Sequence, residues 1–245
     1  MKDYVYDGSF EGLLTAIFEA NTCKDKINII EEINYTPSFL NERITVTTDM
    51  KKFTRVYNSI QDNLGDTVLT NVYHLYLCSI PDSKTLIFNY LKLCYKYGTR
   101  INLAKNNDII ILVDKYCRKV NIEAERFTGF VRFKELSSMT FYSSIEPDHN
   151  ILPLLINHFK TRFSDQNFII HDTKRELAII YNKENAIITN LSKEDGKYLN
   201  SCPTSIYESL WKTFYKSINI EERRNLRQQK LFMPKRYWKN ITELL

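Results

Sequence analysis

"NFIIHDTKRELAIIYNKENAIITNL", residues 167–191, is the stretch that decides the fold class of this chain. It contains three short runs rich in Ile, Leu, Phe and Tyr, at 167–172, 176–182 and 185–191, separated by polar residues. Short apolar runs bounded by polar, turn-forming residues predict three β-strands. Because no helix-length segment separates them, consecutive strands are expected to be antiparallel neighbours in one small sheet.

The residues before this stretch add two more strands and a helix. The segments GFVRFKEL (129–136) and MTFYSSIE (139–146) alternate apolar and polar residues, which predicts an antiparallel pair. The segment from Asn150 to Phe163 carries apolar residues at helical spacing and predicts a helix. Residues 127–245 are therefore expected to form an α+β lobe. In this lobe helices cover one face of a small antiparallel sheet, and the chain ends in a basic, aromatic tail.

The first half of the chain has a different pattern. It begins with YVYDGSFEGLLTAIFEA (4–20), which predicts a strand, an Asp-Gly turn and a helix capped by Ser9. After a second predicted strand at RITVTTD (43–49), the apolar spacing predicts mainly helices. Residues 1–126 are thus expected to form a mainly helical lobe that starts with a β-turn-α unit, and the whole chain is expected to be α+β.

Composition argues against several classes of protein. The 245 residues contain no apolar run long enough to span a membrane, and the first residues carry no signal-peptide pattern, so we expect a cytoplasmic protein. The five cysteines are scattered and form no CxxC pair, which argues against a zinc ribbon or a thioredoxin-type site. No metal and no cofactor is assigned to the chain. A glycine-rich phosphate loop is absent from the sequence, which argues against nucleotide hydrolysis.

One candidate site combines histidines and carboxylates. Three of the four histidines fall between residues 149 and 171, close to several acidic residues. If these side chains converge on one pocket, neutral imidazoles and carboxylates can bind a divalent metal or carry out acid–base chemistry near neutral pH. The candidate catalytic residues are Glu146, Asp148, His149, His158, His171 and Asp172. The alternative is structural: Asp148 or Asn150 would cap the predicted helix, and the other residues would belong to turns and strand edges.

The C-terminal tail is the second candidate site. Residues 221–245 hold seven Lys or Arg and three Glu, so they carry +4 of the chain's formal charge of +5. Cations bind phosphates, and aromatic rings between them stack on bases. The predicted nucleic-acid-binding residues are Arg223, Arg224, Arg227, Lys230, Lys235, Arg236, Tyr237, Trp238 and Lys239. The alternative is a solvated charged helix followed by an aromatic plug that docks on the core.

Five blocks of sequence carry a resemblance to a known family. They are YDGSFEGLLTAIFEA (6–20), GFVRF (129–133), IEPDHNILPLLINHFKTRF (145–163), IIHDTKRELAIIY (169–181) and MPKRYWKN (233–240). Through these blocks the chain resembles a bacterial family of DNA metabolism and DNA repair proteins whose chemistry is uncharacterised. The resemblance implies a gene linked to a radical-SAM protein and a domain that also occurs fused to a uracil-DNA-glycosylase-like domain. It implies a role in DNA modification or repair and assigns no catalytic residues.

Three functions stay open at this point. The first is a protein that binds single- or double-stranded DNA and presents it to a partner enzyme, such as the radical-SAM or the glycosylase-like protein. The second is an enzyme that acts on nucleic acid through the residues from Glu146 to Asp172. The third is a scaffold for the radical-SAM partner that does not itself bind DNA.

Overall fold

The computed structural model of the chain describes residues 1–23, 25–137, 139–201, 206–223 and 225–244. The chain divides into two compact units, Met1–Asn121 and Ile122–Leu245, and the division falls inside one long helix, Asp108–Phe130. The boundary expected from the sequence, between residues 126 and 127, lies in the same helix. Within the described ranges, no helix is long and apolar enough to cross a membrane.

The first unit combines a small parallel sheet with helices. Its elements are β1 (Lys2–Tyr6), α1 (Phe10–Ala20), β2 (Ile27–Glu31), β3 (Glu42–Thr45), α2 (Met50–Leu77), α3 (Ser83–Tyr97) and the first part of α4 (Asp108–Phe130). Strand β1 lies between β2 and β3 and runs parallel to both. The predicted cap of α1 is confirmed, because the Ser9 hydroxyl accepts a hydrogen bond from the Gly12 N–H at 2.9 Å. Gly65, with a φ of 77°, breaks α2 into two helical stretches.

Helix α3 covers the free edge of strand β2. The sheet order β2-β1-β3 leaves β2 at an edge, so the backbone N–H groups on the side away from β1 face no strand among the described residues. The Thr85 hydroxyl of α3 accepts a hydrogen bond from the Ile29 N–H at 3.0 Å. Ile29 is buried, so this contact satisfies a backbone donor that would otherwise be shielded from water. The edge strand is therefore joined to the helical layer by a side chain.

The second unit is built on the predicted sheet. Its elements after α4 are β4 (Lys134–Ser137), β5 (Thr140–Ile145), α5 (Leu152–Arg162), β6 (Asn167–Asp172), β7 (Leu177–Tyr181), β8 (Ala186–Asn190), α6 (Lys193–Ser201), α7 (Ile206–Ile218) and α8 (Leu226–Phe232). Five of the described strands form one sheet in the order β4-β5-β6-β7-β8. The predicted α+β class and its mostly antiparallel sheet are confirmed. The pair β5 and β6 is parallel, because helix α5 connects them.

The two faces of this sheet carry different side chains. Successive residues of a strand point to opposite faces, so Phe168 and Asp172 share one face of β6 while His171 lies on the other. Helix α5 packs on the Phe168 face, where the ring centroid of Phe159 lies 6.3 Å from that of Phe168. Helix α6 approaches the His171 face at Gly196. Strand β6 therefore has aromatic packing with α5 on one face and the contact between His171 and α6 on the other.

Replacing Thr85 with valine tests how α3 covers the edge of β2. Valine has nearly the shape of threonine but no acceptor, so the Ile29 N–H would lose its partner. We expect the free energy of unfolding to fall by about 1–3 kcal/mol. The matched control is Thr54→Val on α2, which removes an exposed hydroxyl and should cost less than about 0.5 kcal/mol. Urea unfolding followed by circular dichroism compares the two variants, and equal effects would contradict the assignment.

Candidate functional site

The loop at residues 146–149 is held from two sides in the second unit. The buried Glu123 carboxylate of α4 accepts hydrogen bonds from the backbone N–H groups of Asp148 and His149, each at 2.8 Å. The Arg175 guanidinium donates to the backbone oxygens of Pro147 at 3.1 Å and Asp148 at 2.6 Å. A carboxylate thus binds the donors of the loop and a guanidinium binds its acceptors. The backbone of this loop is therefore held by two side chains from outside the loop, those of Glu123 and Arg175.

Asp172 orients the arginine of this clamp. Its carboxylate is fully buried and lies 2.7 Å from Nη1 of Arg175. The same carboxylate accepts the backbone N–H groups of Lys174 and Arg175 at 3.0 and 3.3 Å. Burial raises the pKa of Asp172 above its ordinary value, and Arg175 opposes this shift. All of these contacts are to neighbouring protein groups, so Asp172 is a positioning residue for Arg175.

Helix α5 begins without a side-chain cap. The residue at its N-cap position is Ile151, no side chain caps the helix there, and Pro153 lies in the first turn as expected. The prediction that Asp148 or Asn150 caps this helix is therefore wrong. The physical reason is that the backbone of Asp148 is bound by Glu123 and Arg175, and its carboxylate is engaged by a cation of the tail.

The C-terminal tail docks on the same loop. The Tyr237 hydroxyl donates a hydrogen bond to the Glu123 carboxylate, and the buried Tyr237 ring packs on Phe127 with centroids 4.9 Å apart. Burial, reinforced by Glu123, raises the pKa of Tyr237, so its hydroxyl stays protonated and remains a donor. Tyr237, from the predicted nucleic-acid-binding residues, thus shares the Glu123 carboxylate with the backbone of Asp148 and His149, from the predicted catalytic residues. Glu123 therefore links the two candidate sites that the sequence predicted.

Two cations of the tail pair with the acids of the loop. Nη2 of Arg236 lies 2.9 Å from the Asp148 carboxylate, and the Lys239 ammonium pairs with Glu146. The side chains of Arg236 and Lys239 remain 54% and 55% exposed, so each pair is screened by water. Their main effect is to cancel local charge, because exposed ion pairs stabilise a fold by only about 0–1 kcal/mol each.

The rest of the docked tail is also held by protein groups. Nε1 of Trp238 donates to the Met233 carbonyl oxygen at 2.8 Å. The Glu243 carboxylate accepts from Nε of Arg132 at 3.0 Å and from Nε1 of Trp211 at 3.1 Å. Burial pushes the pKa of Glu243 upward, but the hydrogen bonds from Arg132 and Trp211 outweigh it and the pKa is lowered. Residues 236–243 are thus docked on the second unit by hydrogen bonds and by packing of the Tyr237 ring.

The histidines do not converge on one pocket. His171 is fully buried: its Nε2 lies 3.0 Å from the Leu191 carbonyl oxygen and its Nδ1 lies 2.9 Å from the Tyr142 hydroxyl. A carbonyl oxygen only accepts, so Nε2 carries the proton and Nδ1 accepts from Tyr142. Burial lowers the pKa of His171, which keeps the ring neutral. Both ring nitrogens are therefore occupied by structural hydrogen bonds.

The other two histidines have different environments. His149 is buried beside Glu123, whereas His158 is exposed on α5 with its ring edge-on to Phe159. Among the residues that the structure describes, no three His, Cys, Asp or Glu side chains are placed to hold a metal ion. The structure brings Glu146, Asp148, His149 and Asp172 together through Glu123, Arg175 and the tail. The described contacts of His158 and His171 are instead with Phe159, and with Tyr142 and Leu191, respectively.

The remaining predicted cations are exposed. Arg223, Arg227, Lys230 and Lys235 lie at the surface, and no ion pair involves them among the described side chains. Arg224 lies outside the described residues. Phe232, an aromatic residue among the cations of the tail, is exposed, and sequence reasoning missed two further exposed rings on the preceding helix, those of Trp211 and Phe214. The signal was present in YESLWKTFYKSI (207–218), whose apolar residues exceed what one buried helix face needs.

Comparison with known proteins places this α+β chain in a family. The family described as a domain of unknown function, DUF4130, matches residues 81–243, well over half of the 245 residues. The chain belongs to this family. Neither a curated protein nor a solved structure was found to match it. The loop at 146–149, Glu123, Arg175 and Tyr237 all lie inside the matched residues, whereas the YDGSFEG segment of the first unit lies outside them.

Replacing Gly196 with alanine tests the structural role of His171. A Cβ at Gly196 would lie 2.6 Å from Nδ1 and Cε1 of the His171 ring, so the ring would have to leave Tyr142. We expect a loss of about 1–3 kcal/mol in the free energy of unfolding, the usual cost of overpacking. Gly129→Ala is the matched control, because both glycines are helical and a Cβ at Gly129 meets no atom within 4 Å. Alanine there should be neutral or stabilise by about 0.5–1 kcal/mol. Thermal unfolding distinguishes the two, and an unchanged melting temperature for Gly196→Ala would refute the packing.

Proposed function

We propose that this protein is a DNA-binding component of DNA metabolism or repair that holds DNA for a partner enzyme. The proposed contact is the aromatic–basic segment, residues 210–232. The single observation that carries the proposal is the exposure of three aromatic rings on this segment. The exposed fractions are 42% for Trp211, 51% for Phe214 and 62% for Phe232. Several large apolar side chains exposed on one segment mark an interaction surface more often than single exposed ones do.

The arrangement of these rings suits unpaired bases. Trp211 and Phe214 lie one helical turn apart on α7, with ring centroids 5.8 Å apart. Stacking of a base on an aromatic ring contributes roughly 1–3 kcal/mol and is tolerant of sequence. The exposed cations of the segment are Lys216, Arg223, Arg227 and Lys230. Rings that stack on bases, set among cations that bind phosphates, favour a single-stranded or locally opened DNA.

The docked part of the tail is a weaker candidate for DNA contact. The charges of Arg236 and Lys239 are offset by Asp148 and Glu146, and the Tyr237 ring is buried against Phe127. Lys235 remains exposed and is retained in the proposal. The proposed surface thus consists of residues 210–232 together with Lys235, and Arg236, Tyr237 and Lys239 contribute less to it.

The resemblance to DNA metabolism and repair proteins supports the same class of function. It supplies the expected partner, a radical-SAM protein or a uracil-DNA-glycosylase-like protein, and the cytoplasmic location remains a prediction from the sequence. DUF4130 itself is a domain of unknown function and adds no chemistry.

A second candidate function is a scaffold that docks on the radical-SAM partner without binding DNA. The observation that favours it is the number of exposed aliphatic side chains on the same segment, including Leu210, Ile218 and Leu231. An apolar helix face is a common recognition surface for proteins. The scaffold and the DNA-binding proposals differ in one measurable property: only DNA binding depends steeply on salt.

The double variant Arg227→Gln with Lys230→Gln tests the DNA-binding proposal. Both side chains are exposed, so their loss should weaken binding of a fluorescent oligonucleotide by about tenfold or more at physiological salt. For single strands, the slope of affinity against salt should also fall by roughly 0.7 for each phosphate contact removed. Fluorescence anisotropy with single- and double-stranded DNA across a salt series measures both quantities.

The control is Lys115→Gln with Lys119→Gln, two exposed lysines of α4 that make the same change in net charge. The control should leave the affinity within about twofold of the unchanged protein, because these lysines lie outside the proposed contact. Equal losses in both double variants would mean that only net charge matters and would contradict the assigned surface. Binding that ignores salt, or no binding at all, would leave the scaffold as the better account.

A further inference from the structure

The first unit contains a groove that none of the preceding sites uses. Its volume is about 540 Å³, within the range of roughly 300–1,000 Å³ typical of small-molecule sites. It lies between the end of α1, the first part of α2 and the second half of α3. Its apolar walls are formed by Ile17, Val56, Phe88 and Leu91. A groove of this size with apolar walls accommodates a flat organic group.

The charge around this groove has one sign. Arg55 of α2 and Lys92 and Lys96 of α3 line it, and no Asp or Glu is among the described residues that do so. In the described part of the chain, none of these three cations has an ion-pair partner. Several cations around one concavity make its local potential positive, which favours an anion. The groove is therefore complementary to a negatively charged ligand.

Aromatic rings accompany the cations. The Arg55 guanidinium lies over the Phe18 ring at 5.5 Å, and the Lys92 ammonium lies over the Phe88 ring at 4.3 Å. The half-exposed Tyr95 ring completes the lining, and its hydroxyl lies 2.8 Å from that of Ser59. The same concavity thus combines apolar and aromatic surface with cationic groups.

We propose that this groove binds a nucleotide, with the base against the apolar walls and Tyr95 and the phosphate between Arg55 and Lys92. The proposal is independent of the aromatic–basic segment, because every residue of the groove belongs to the first unit. The nucleotide has two sources with the same chemistry: a free mononucleotide, or one nucleotide of a DNA strand.

Isothermal titration calorimetry on the full chain tests the proposal with two probes, deoxyadenosine monophosphate and a short single-stranded oligonucleotide. Deoxyadenosine, which lacks the phosphate, is the comparison ligand and should bind at least about tenfold more weakly than the monophosphate. The variant Arg55→Gln with Lys92→Gln should weaken binding of the phosphate-bearing probe by at least about tenfold. Tyr95→Ala should also weaken it, whereas Tyr95→Phe, which keeps the ring, should not. Lys51→Gln, an exposed lysine of α2 outside the groove, is the control.

The two probes distinguish a free nucleotide from a nucleotide of a DNA strand. Monophosphate binding that is lost in the groove variants supports a free nucleotide as the ligand. Oligonucleotide binding alone, lost in the same variants, supports a nucleotide of DNA. Absence of binding by both probes, or binding unchanged in the groove variants, overturns the proposal. Oligonucleotide binding that is lost only with Arg227 and Lys230 also overturns it and leaves the proposed function intact.

Discussion

A buried carboxylate, that of Glu123, is the contact on which the second unit depends. Burying a charged group costs free energy unless hydrogen bonds replace its water. Glu123 receives three such bonds, from the backbone N–H groups of Asp148 and His149 and from the Tyr237 hydroxyl. These donors come from a loop and from the C-terminal tail, so one side chain of α4 joins segments far apart in the chain. Arg175 completes the arrangement from the other side of the loop.

This arrangement pairs some of the tail's cations with acids and leaves others exposed. Counted along the sequence, the tail is a basic segment and residues 146–172 an acidic one. In the folded protein, Arg236 and Lys239 meet Asp148 and Glu146, so the cations nearest the end of the chain contribute little net field. For Arg223, Arg227 and Lys230, the described cations of the tail before Phe232, no acid forms an ion pair within the described part of the chain. A local count of Lys and Arg therefore located the basic region but could not tell its paired cations from its exposed ones.

The sequence predicted local structure well and tertiary partners poorly. The strands at 167–191 and the Ser9 cap follow from alternation and from short-range hydrogen bonding, which are visible in a few neighbouring residues. The parallel sheet of the first unit was missed, because β2 was not recognised as a strand and its pairing with β1 joins residues 25 positions apart. The capping prediction for α5 failed for a related reason: Asp148 is an ordinary capping residue, but tertiary partners bind it instead.

The candidate site shows the same limit. The local sequence around a histidine among apolar residues is the same whether the histidine is catalytic or structural. The contacts of His171 with Tyr142 and Leu191 distinguish the two roles. Likewise, the pattern of α7 predicts an amphipathic helix, yet it does not tell whether Trp211 and Phe214 are covered. The sequence did not predict a role for Glu123, because a single glutamate on a helix is normally exposed to solvent.

Amide hydrogen exchange in Glu123→Gln and Glu125→Gln tests the central role of this carboxylate most directly. Glutamine offers one acceptor oxygen in place of two, and its NH₂ group would face the donors of the loop. We predict that the backbone amides of Asp148 and His149 exchange at least about tenfold faster in Glu123→Gln. They should be unchanged in Glu125→Gln, whose side chain is exposed on the same helix. Equal protection of these two amides in both variants would contradict the account.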